Sequence, residues 1–153
     1  VHESLRRGGR PCLTDSQLYC TIVHMKIVCD TSAFLAVVLN EPERSRIVAL
    51  TSGHELAAPA VLPFEIGNAL VSMTRRGSLA PENVTAAWDA LQAIPVELRP
   101  IELRAALEIA LRFKIYAYDA YFLECALGLR APLLTLDKTM QRLARTLNVQ
   151  VLE

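Results

Sequence analysis

Four acidic residues stand at positions of the sequence where carboxylates can act together on one substrate or one metal ion. Asp30 directly follows the short apolar run 27–29, and Asp137 directly follows the apolar run 133–136. Each run predicts a buried β-strand, and open α/β sheets bind their ligands beyond the carboxyl ends of the strands. Glu65 and Asp119 each lie near the start of a predicted helix, among apolar and aromatic neighbours. We therefore expect the four carboxylates to converge at one edge of a sheet.

Carboxylates that converge in a partly buried place repel one another, and each isolated buried ion costs several kcal/mol. A divalent cation relieves both penalties. Because the ligands are oxygens only, with no histidine nearby in the sequence, the pattern favours Mg²⁺ or Mn²⁺ over zinc. A structural explanation is open for each acid taken singly. Asp30 and Asp137 can cap the helices after their strands, and Glu65 and Asp119 can interact with a helix macrodipole.

The elements that position these acids alternate between strands and helices. Predicted strands cover 27–29, 55–58, 96–98, 132–136 and 149–152, and predicted helices cover 32–39, 43–51, 63–76, 80–93, 102–113, 118–129 and 138–147. Ser32 is expected to cap the first helix. In the third, Phe64, Ile66, Leu70 and Val71 fall at helical spacing and are expected to face the core. The alternation predicts an α/β fold in which a mostly parallel central sheet of about five strands is flanked by helices.

Composition limits the class of protein. Apolar residues make up 52% of the chain and charged residues 21%, which excludes a disordered chain. The net charge of zero excludes a wholly basic nucleic-acid binder, permits a local basic face, and favours association with a partner. No apolar run approaches the roughly 18 residues needed to cross a bilayer. Four cysteines are too few for a disulfide scaffold, so we expect a protein of the reducing cytoplasm without a membrane partner.

Residues 1–24 differ from the rest of the chain. Their arginine- and glycine-rich stretch is not followed by the apolar segment of about 7–15 residues that a secretory signal needs. Met25 then opens the first predicted strand abruptly. We predict one domain, 25–153, preceded by a leader, 1–24, that is disordered or not native. Cys12, Cys20 and His24 match no common zinc-site spacing.

Four segments, in order, resemble the acidic motifs of PIN domains. They are MKIVCDTSAFL (25–35), PFEIGNAL (63–70), YDAYFLECA (118–126) and LLTLD (133–137). The resemblance covers 25–153, and the small size is similar to the VapC-like toxins of type II toxin–antitoxin systems. It implies a three-layer PIN-like α/β fold.

The resemblance also implies an activity and its residues. The activity is that of a metal-dependent endoribonuclease that hydrolyses phosphodiester bonds of tRNA or rRNA, forms a homodimer and is silenced by a VapB-like antitoxin. The family's catalytic acids carry over onto Asp30, Glu65, Asp119 and Asp137. Of these, Asp30, Asp119 and Asp137 are expected to bind Mg²⁺ or Mn²⁺, and Glu65 to bind the metal or orient the attacking water. The polar support positions carry over onto Thr31, Ser32, Asn68 and Thr135.

Contacts with RNA are less specific in the sequence. Several basic side chains are candidates for phosphate contacts, although solvated helix faces explain them equally well: Arg75, Arg76, Lys114, Lys138 and Arg142. Three tyrosines can stack on bases, but we expect them to pack in the core: Tyr116, Tyr118 and Tyr121.

Two other functions fit parts of the pattern. A haloacid-dehalogenase-like phosphatase also places an aspartate after its first strand, but it needs a second aspartate two residues later, where this chain has Ser32. A PIN-like module that only binds RNA or protein is the alternative, and the full set of four acids argues against it. Metal-dependent cleavage of RNA, with and without EDTA, discriminates between an enzyme and a binding module.

Overall fold

The computed structural model describes residues 24–153, which form one sheet of five strands and seven helices. The strands are β1 (Lys26–Cys29), β2 (Glu55–Pro59), β3 (Glu97–Arg99), β4 (Leu133–Leu134) and β5 (Val151–Leu152). The helices are α1 (Thr31–Val38), α2 (Arg44–Thr51), α3 (Leu62–Arg75), α4 (Asn83–Gln92), α5 (Leu103–Phe113), α6 (Ala117–Leu129) and α7 (Lys138–Thr146). The leader predicted at 1–24, with Cys12 and Cys20, lies outside the described residues apart from His24, so the domain boundary stays a prediction.

The sheet is parallel throughout, with the strand order β3-β2-β1-β4-β5. β1 lies at its centre, where Val28 pairs with Ala57 of β2 and with Leu133 of β4. Ile27 and Val28 are fully buried, as expected of a parallel strand that helices cover on both faces. The prediction of an α/β fold around a mostly parallel sheet of about five strands is confirmed.

Helices form a layer on each face of the sheet. α1 packs against α2, α3 and α4, whereas α6 packs against α5, α7 and the central strands. The chain steps from β1 to β2 in one direction along the sheet and from β4 to β5 in the other. Because parallel crossovers are right-handed, these steps place α1–α4 on one face and α5–α7 on the opposite face. The result is the three-layer arrangement that the resemblance implied.

The strands β1 and β4 are neighbours whose chains leave the sheet toward opposite faces, since α1 and α7 belong to different layers. Such a switch point opens a crevice at the carboxyl ends of the strands. Asp30 is the first residue after β1, and Asp137 follows β4 just before α7. α3, which carries Glu65, begins soon after the carboxyl end of β2. The fold thus brings three of the four predicted acids to one edge of the sheet.

Two local predictions need correction. Asp30 rather than Ser32 is the N-cap of α1, because its carboxylate accepts a hydrogen bond from the backbone N–H of Ala33. β4 ends at Leu134 rather than at 136, because the next backbone N–H groups bond to side chains instead of a neighbouring strand. The N–H of Leu136 donates to Ser32 Oγ at 3.0 Å.

Two cysteines of the described residues, Cys29 and Cys125, are free and buried. Burial raises the pKa of each thiol to about 12, so neither is ionised for nucleophilic chemistry at neutral pH. In the described part of the chain, no helix has the length and apolar character to cross a membrane.

Candidate active site

Asp30 is held on both of its carboxylate oxygens. Oδ1 accepts hydrogen bonds from Ser32 Oγ at 2.6 Å and from the N–H of Ala33 at 3.1 Å. Oδ2 accepts a hydrogen bond from Thr135 Oγ1 at 2.5 Å. Only 7% of Asp30 is exposed. The carboxylate therefore has one fixed orientation, set by residues in the first turn of α1 and by a residue that follows β4.

The hydroxyl groups of Ser32 and Thr135, which donate to Asp30, also link the ends of β1 and β4. Thr135 Oγ1, which is buried, accepts a hydrogen bond from the N–H of Asp137 at 3.0 Å. Ser32 Oγ accepts the N–H of Leu136. Two of the predicted support residues, Ser32 and Thr135, thus lie against the carboxylate that they were expected to support.

Asp137 begins α7 and acts as its N-cap. Its Oδ1 accepts the N–H groups of Thr139 at 2.6 Å and Met140 at 2.9 Å. Among the residues that the structure describes, none donates a hydrogen bond to its Oδ2. One oxygen of Asp137 thus serves the helix, and the other is free for a ligand.

Glu65 lies in the first turn of α3 without capping it. Its Oε2 is buried and has no hydrogen-bond partner, and the same is true of the Thr31 hydroxyl. Burial raises the pKa of the Glu65 carboxyl, the nearby Thr31 hydroxyl opposes the shift, and the charges of Asp30 and Asp119 add to it. A buried carboxylate oxygen without a donor is costly, and a cation at this place would remove the cost.

Electrostatic repulsion links all four acids. Burial is the largest cause of the raised pKa of Asp30, where hydrogen bonds from Ser32, Thr135 and Ala33 oppose the shift and the charge of Asp137 adds to it. Burial likewise raises the pKa of Asp119, and the charge of Asp137 contributes again. Glu65 is repelled by Asp30 and Asp119. Repulsion thus links the acids in the cyclic order Asp30, Asp137, Asp119 and Glu65, and we call these four residues the acidic ring. α6 brings Asp119 into this ring from the opposite layer to Glu65.

The donor set suits a hard divalent cation, because it contains carboxylate and hydroxyl oxygens alone. Within residues 24–153, no three acidic, histidine or cysteine side chains lie close enough to form a compact ion-binding cluster. Glu65 Oε2 is buried without a hydrogen-bond donor, and burial and neighbouring negative charges raise the pKa values of Asp30, Glu65 and Asp119. The residues therefore fit such an ion in chemistry, and the carboxylates stand farther apart than direct ligands of one ion.

The remaining predicted residues lie at different distances from the acids. Asn68 is exposed on α3, one turn beyond Glu65. Lys138 and Arg142 are exposed on α7, immediately beyond Asp137 and one turn later. Arg75 and Arg76 lie at the other end of α3, about 15 Å along the helix from Glu65 at its usual rise, and Lys114 is exposed at the end of α5.

The prediction that the tyrosines pack in the core is wrong for two of them. Tyr116 and Tyr118 are exposed, and only Tyr121 is half-buried. Phe64 was expected to face the core and is also exposed, because the buried stripe of α3 passes through Ile66 and Leu70. Phe64 is two residues from Ile66, which is about 200° around a helix. That angle is the signal in the sequence that places Phe64 outside.

The fold and the site together define an α/β protein with acidic residues at the carboxyl ends of its parallel strands and at the starts of two helices. Residues 27–146 match the PIN domain family. The match spans more than half of the chain, and the chain belongs to the PIN domain family, as its four acidic motifs suggested.

The chain is similar in sequence to a named ribonuclease and in fold to three solved structures. The chain is 30% identical over 122 residues to Ribonuclease VapC3 from Pyrobaculum aerophilum, and the alignment covers 76% of this chain and 92% of that protein. Its fold resembles PAE2754 from Pyrobaculum aerophilum, with a TM-score of 0.62, 19% identity and coverage of 78% of this chain and 79% of the other. It also resembles VapBC2 from Rickettsia felis, in a structure bound to a DNA fragment from the VapBC2 promoter. The TM-score is 0.61, with 14% identity and coverage of 84% of this chain and 98% of the other. For FitAcB from Neisseria gonorrhoeae the TM-score is 0.59, with 17% identity and coverage of 83% and 96%.

Proposed function

We propose that this protein is a metal-dependent endoribonuclease of the VapC type, which hydrolyses phosphodiester bonds of tRNA or rRNA as the toxin of a toxin–antitoxin pair. The observation that carries the proposal is the ring of four mutually repelling carboxylates at the switch point of the sheet. The identity to Ribonuclease VapC3 supports the same activity.

The proposed metal ligands are Asp30, Asp119 and Asp137, which would hold Mg²⁺ or Mn²⁺. Glu65 would bind the ion or orient the attacking water. When bound, such an ion lowers the pKa of a water molecule and neutralises charge on phosphoryl oxygens.

The protein's own part in this chemistry is to hold the carboxylates before an ion arrives. Thr135 and Ser32 fix the two oxygens of Asp30, and hydrogen bonds of this kind keep a metal ligand in its binding orientation. The backbone of α7 fixes Oδ1 of Asp137. Asn68 is exposed and would contact water or RNA rather than a carboxylate.

The proposed partners are a second copy of the chain and a VapB-like antitoxin. The likeness of the fold to VapBC2 and FitAcB supports the antitoxin, and the net charge of zero favours association. An apolar recess of about 340 Å³ between α1, α3 and α4, lined by Phe34, Ile66 and Trp88 among others, offers a place for an apolar antitoxin segment. We infer that the protein works in the cytoplasm, where Cys29 and Cys125 stay reduced.

Cleavage of purified tRNA and rRNA tests the enzyme proposal. We expect internal cuts with Mg²⁺ or Mn²⁺ and none in EDTA. Asp30→Asn should lower the cleavage rate by about 100-fold or more, because losing even an outer partner of a metal ligand costs 10–100-fold. Asp89→Asn, on the exposed face of α4, is the matched control and should cut normally. Full activity of both Asp30→Asn and Asp119→Asn would refute the site, and binding of RNA without cleavage would favour the non-catalytic module.

A further inference from the structure

The exposed aromatic side chains in the described part of the chain lie close in sequence to two of the four acids. Of its eight aromatic residues, three are exposed: Phe64 is 75% exposed, Tyr116 83% and Tyr118 48%. Phe64 immediately precedes Glu65, and Tyr118 immediately precedes Asp119. All three rings therefore lie at the N-terminal ends of α3 and α6, the two helices that carry these acids.

The rings flank the acids from two sides. α3 belongs to the helical layer on one face of the sheet, and α6 belongs to the layer on the other. The N-terminal end of each helix carries one of the acids, with Glu65 in the first turn of α3 and Asp119 in the first turn of α6. A strand of nucleic acid whose phosphate reaches the ring thus has Phe64 to one side and Tyr116 with Tyr118 to the other.

Charge does not favour RNA at this place. Without residues 1–24 the chain has 13 lysines and arginines against 14 aspartates and glutamates, and the four acids repel phosphate groups until a cation is bound. Stacking of a base on an aromatic ring needs no charge on the protein, and it contributes about 1–3 kcal/mol for each base. The exposed rings are the part of this surface that can supply such binding.

We propose that Phe64 and the pair Tyr116–Tyr118 stack on unpaired bases on either side of the phosphate that is cut. This inference rests on the proposed nuclease function and narrows its substrate to RNA segments with unpaired bases, because the bases of a duplex have no free faces. Tyr121 contacts Tyr118 edge to face, with the ring centroids 5.7 Å apart. This contact holds the Tyr118 ring in place, so that little side-chain freedom is lost when a base stacks on it.

Binding in EDTA tests the inference without any cleavage. The probe is a fluorescent 12-nucleotide single-stranded RNA, compared with the same strand in a duplex and with an abasic strand that keeps every phosphate. Phe64→Ala and Tyr118→Ala should each weaken binding of the single strand by about 5- to 150-fold, and Phe64→Trp should retain it. Leu111→Ala is the matched control, because Leu111 is 79% exposed on α5 and borders none of the acids in sequence. The variants should bind the abasic strand and the duplex as the wild type does.

The outcomes separate this inference from the nuclease proposal. Equal binding of intact and abasic strands by the wild type, or unchanged binding in both alanine variants, overturns stacking while leaving cleavage by the acids intact. Base-dependent binding that is lost in the variants supports stacking, whether or not RNA is cut. A failure to cut RNA with Mg²⁺ would count only against the nuclease proposal. A lower solution mass of the variants with unchanged RNA binding would assign the rings to an interface between copies and refute the inference.

Discussion

The carboxylate of Asp30 serves the fold and the candidate site at once. Its Oδ1 caps α1 and its Oδ2 accepts the Thr135 hydroxyl, so the helix start and the link between β1 and β4 depend on the same group. The capping explanation therefore holds for Asp30 and Asp137. It fails for Glu65 and Asp119, because the N-cap positions of their helices are Val61 and Tyr116. Those two acids are the ones for which the structure offers no hydrogen-bonded structural role.

Replacement of Asp119 by asparagine should stabilise the metal-free protein. Burial and the charge of Asp137 raise the pKa of Asp119, so the charged form of this carboxyl is disfavoured in the folded protein. Removing the charge relieves this repulsion at neutral pH. We expect a melting temperature a few degrees higher in EDTA at pH 7.5, since ~1 kcal/mol shifts it by about 2–4 °C in chains of 150–250 residues. Scanning calorimetry measures it.

The pH dependence of the stability difference between Asp119→Asn and the wild type checks this prediction. A raised pKa means that the folded state keeps the proton at pH values where the unfolded state has lost it, so this group's contribution to stability falls as pH rises above the ordinary value of 3.8. The gain in Asp119→Asn should therefore vanish below about pH 4 and grow toward neutrality. A lower melting temperature of Asp119→Asn in EDTA at pH 7.5 would contradict the account.

At the scale of elements, substitutions of Asp137 can separate its role as the N-cap of α7 from its role as a carboxylate in the candidate site. Asp137→Ala removes the acceptor for Thr139 and Met140 and should cost about 0.5–2 kcal/mol of stability. Asp137→Ser keeps a good N-cap and should have a free energy of unfolding close to that of the wild type, because serine caps helices about as well as aspartate. Both variants lack the carboxylate and should lose RNA cleavage. Urea unfolding and a cleavage assay on the same preparations measure the two effects.

A second capped helix supplies the control for this comparison. Glu102 caps α5 through the N–H of Ala105 at 2.8 Å, and the acid it repels is Glu124, outside the ring. Glu102→Ala should lower stability and keep cleavage. Retention of cleavage in Asp137→Ser would show that Asp137 acts only as a cap.

The order of strands and helices could be predicted from the sequence because apolar periodicity records burial directly. The end of β4 is a boundary that apolar periodicity does not reveal, because a side chain replaces a backbone partner there: the hydroxyl of Thr135 accepts the N–H of Asp137. The four acids could be named from their motifs and their places after strands or at helix starts. Apolar spacing alone predicts that Phe64 and Val71 face the core, whereas the angle of about 200° between Phe64 and Ile66 places Phe64 off the buried stripe defined by Ile66 and Leu70.

At the scale of the whole molecule, the balance of charge decides how RNA is held. Of the basic residues predicted to contact phosphate, Lys138 and Arg142 directly follow Asp137 and lie one turn apart on α7. Arg75 and Arg76 lie at the far end of α3, beyond the reach of a nucleotide bound at the ring. Few phosphate contacts are therefore expected within the described residues, and most of the binding free energy must be independent of salt.

The salt dependence of RNA binding tests this balance. Two phosphate contacts on a single strand predict a slope of about −1.4 in log K against log salt, hence about a sevenfold loss between 50 and 200 mM KCl. A protein with 6–10 contacts to duplex DNA loses roughly 10³–10⁵ over that range. The double variant Lys138→Gln/Arg142→Gln should flatten the slope toward zero, whereas Arg75→Gln/Arg76→Gln should leave it unchanged. A steep slope in the wild type that only the α3 pair reduces would show that RNA follows a basic path away from the acids, and would move the binding surface to the other end of that helix.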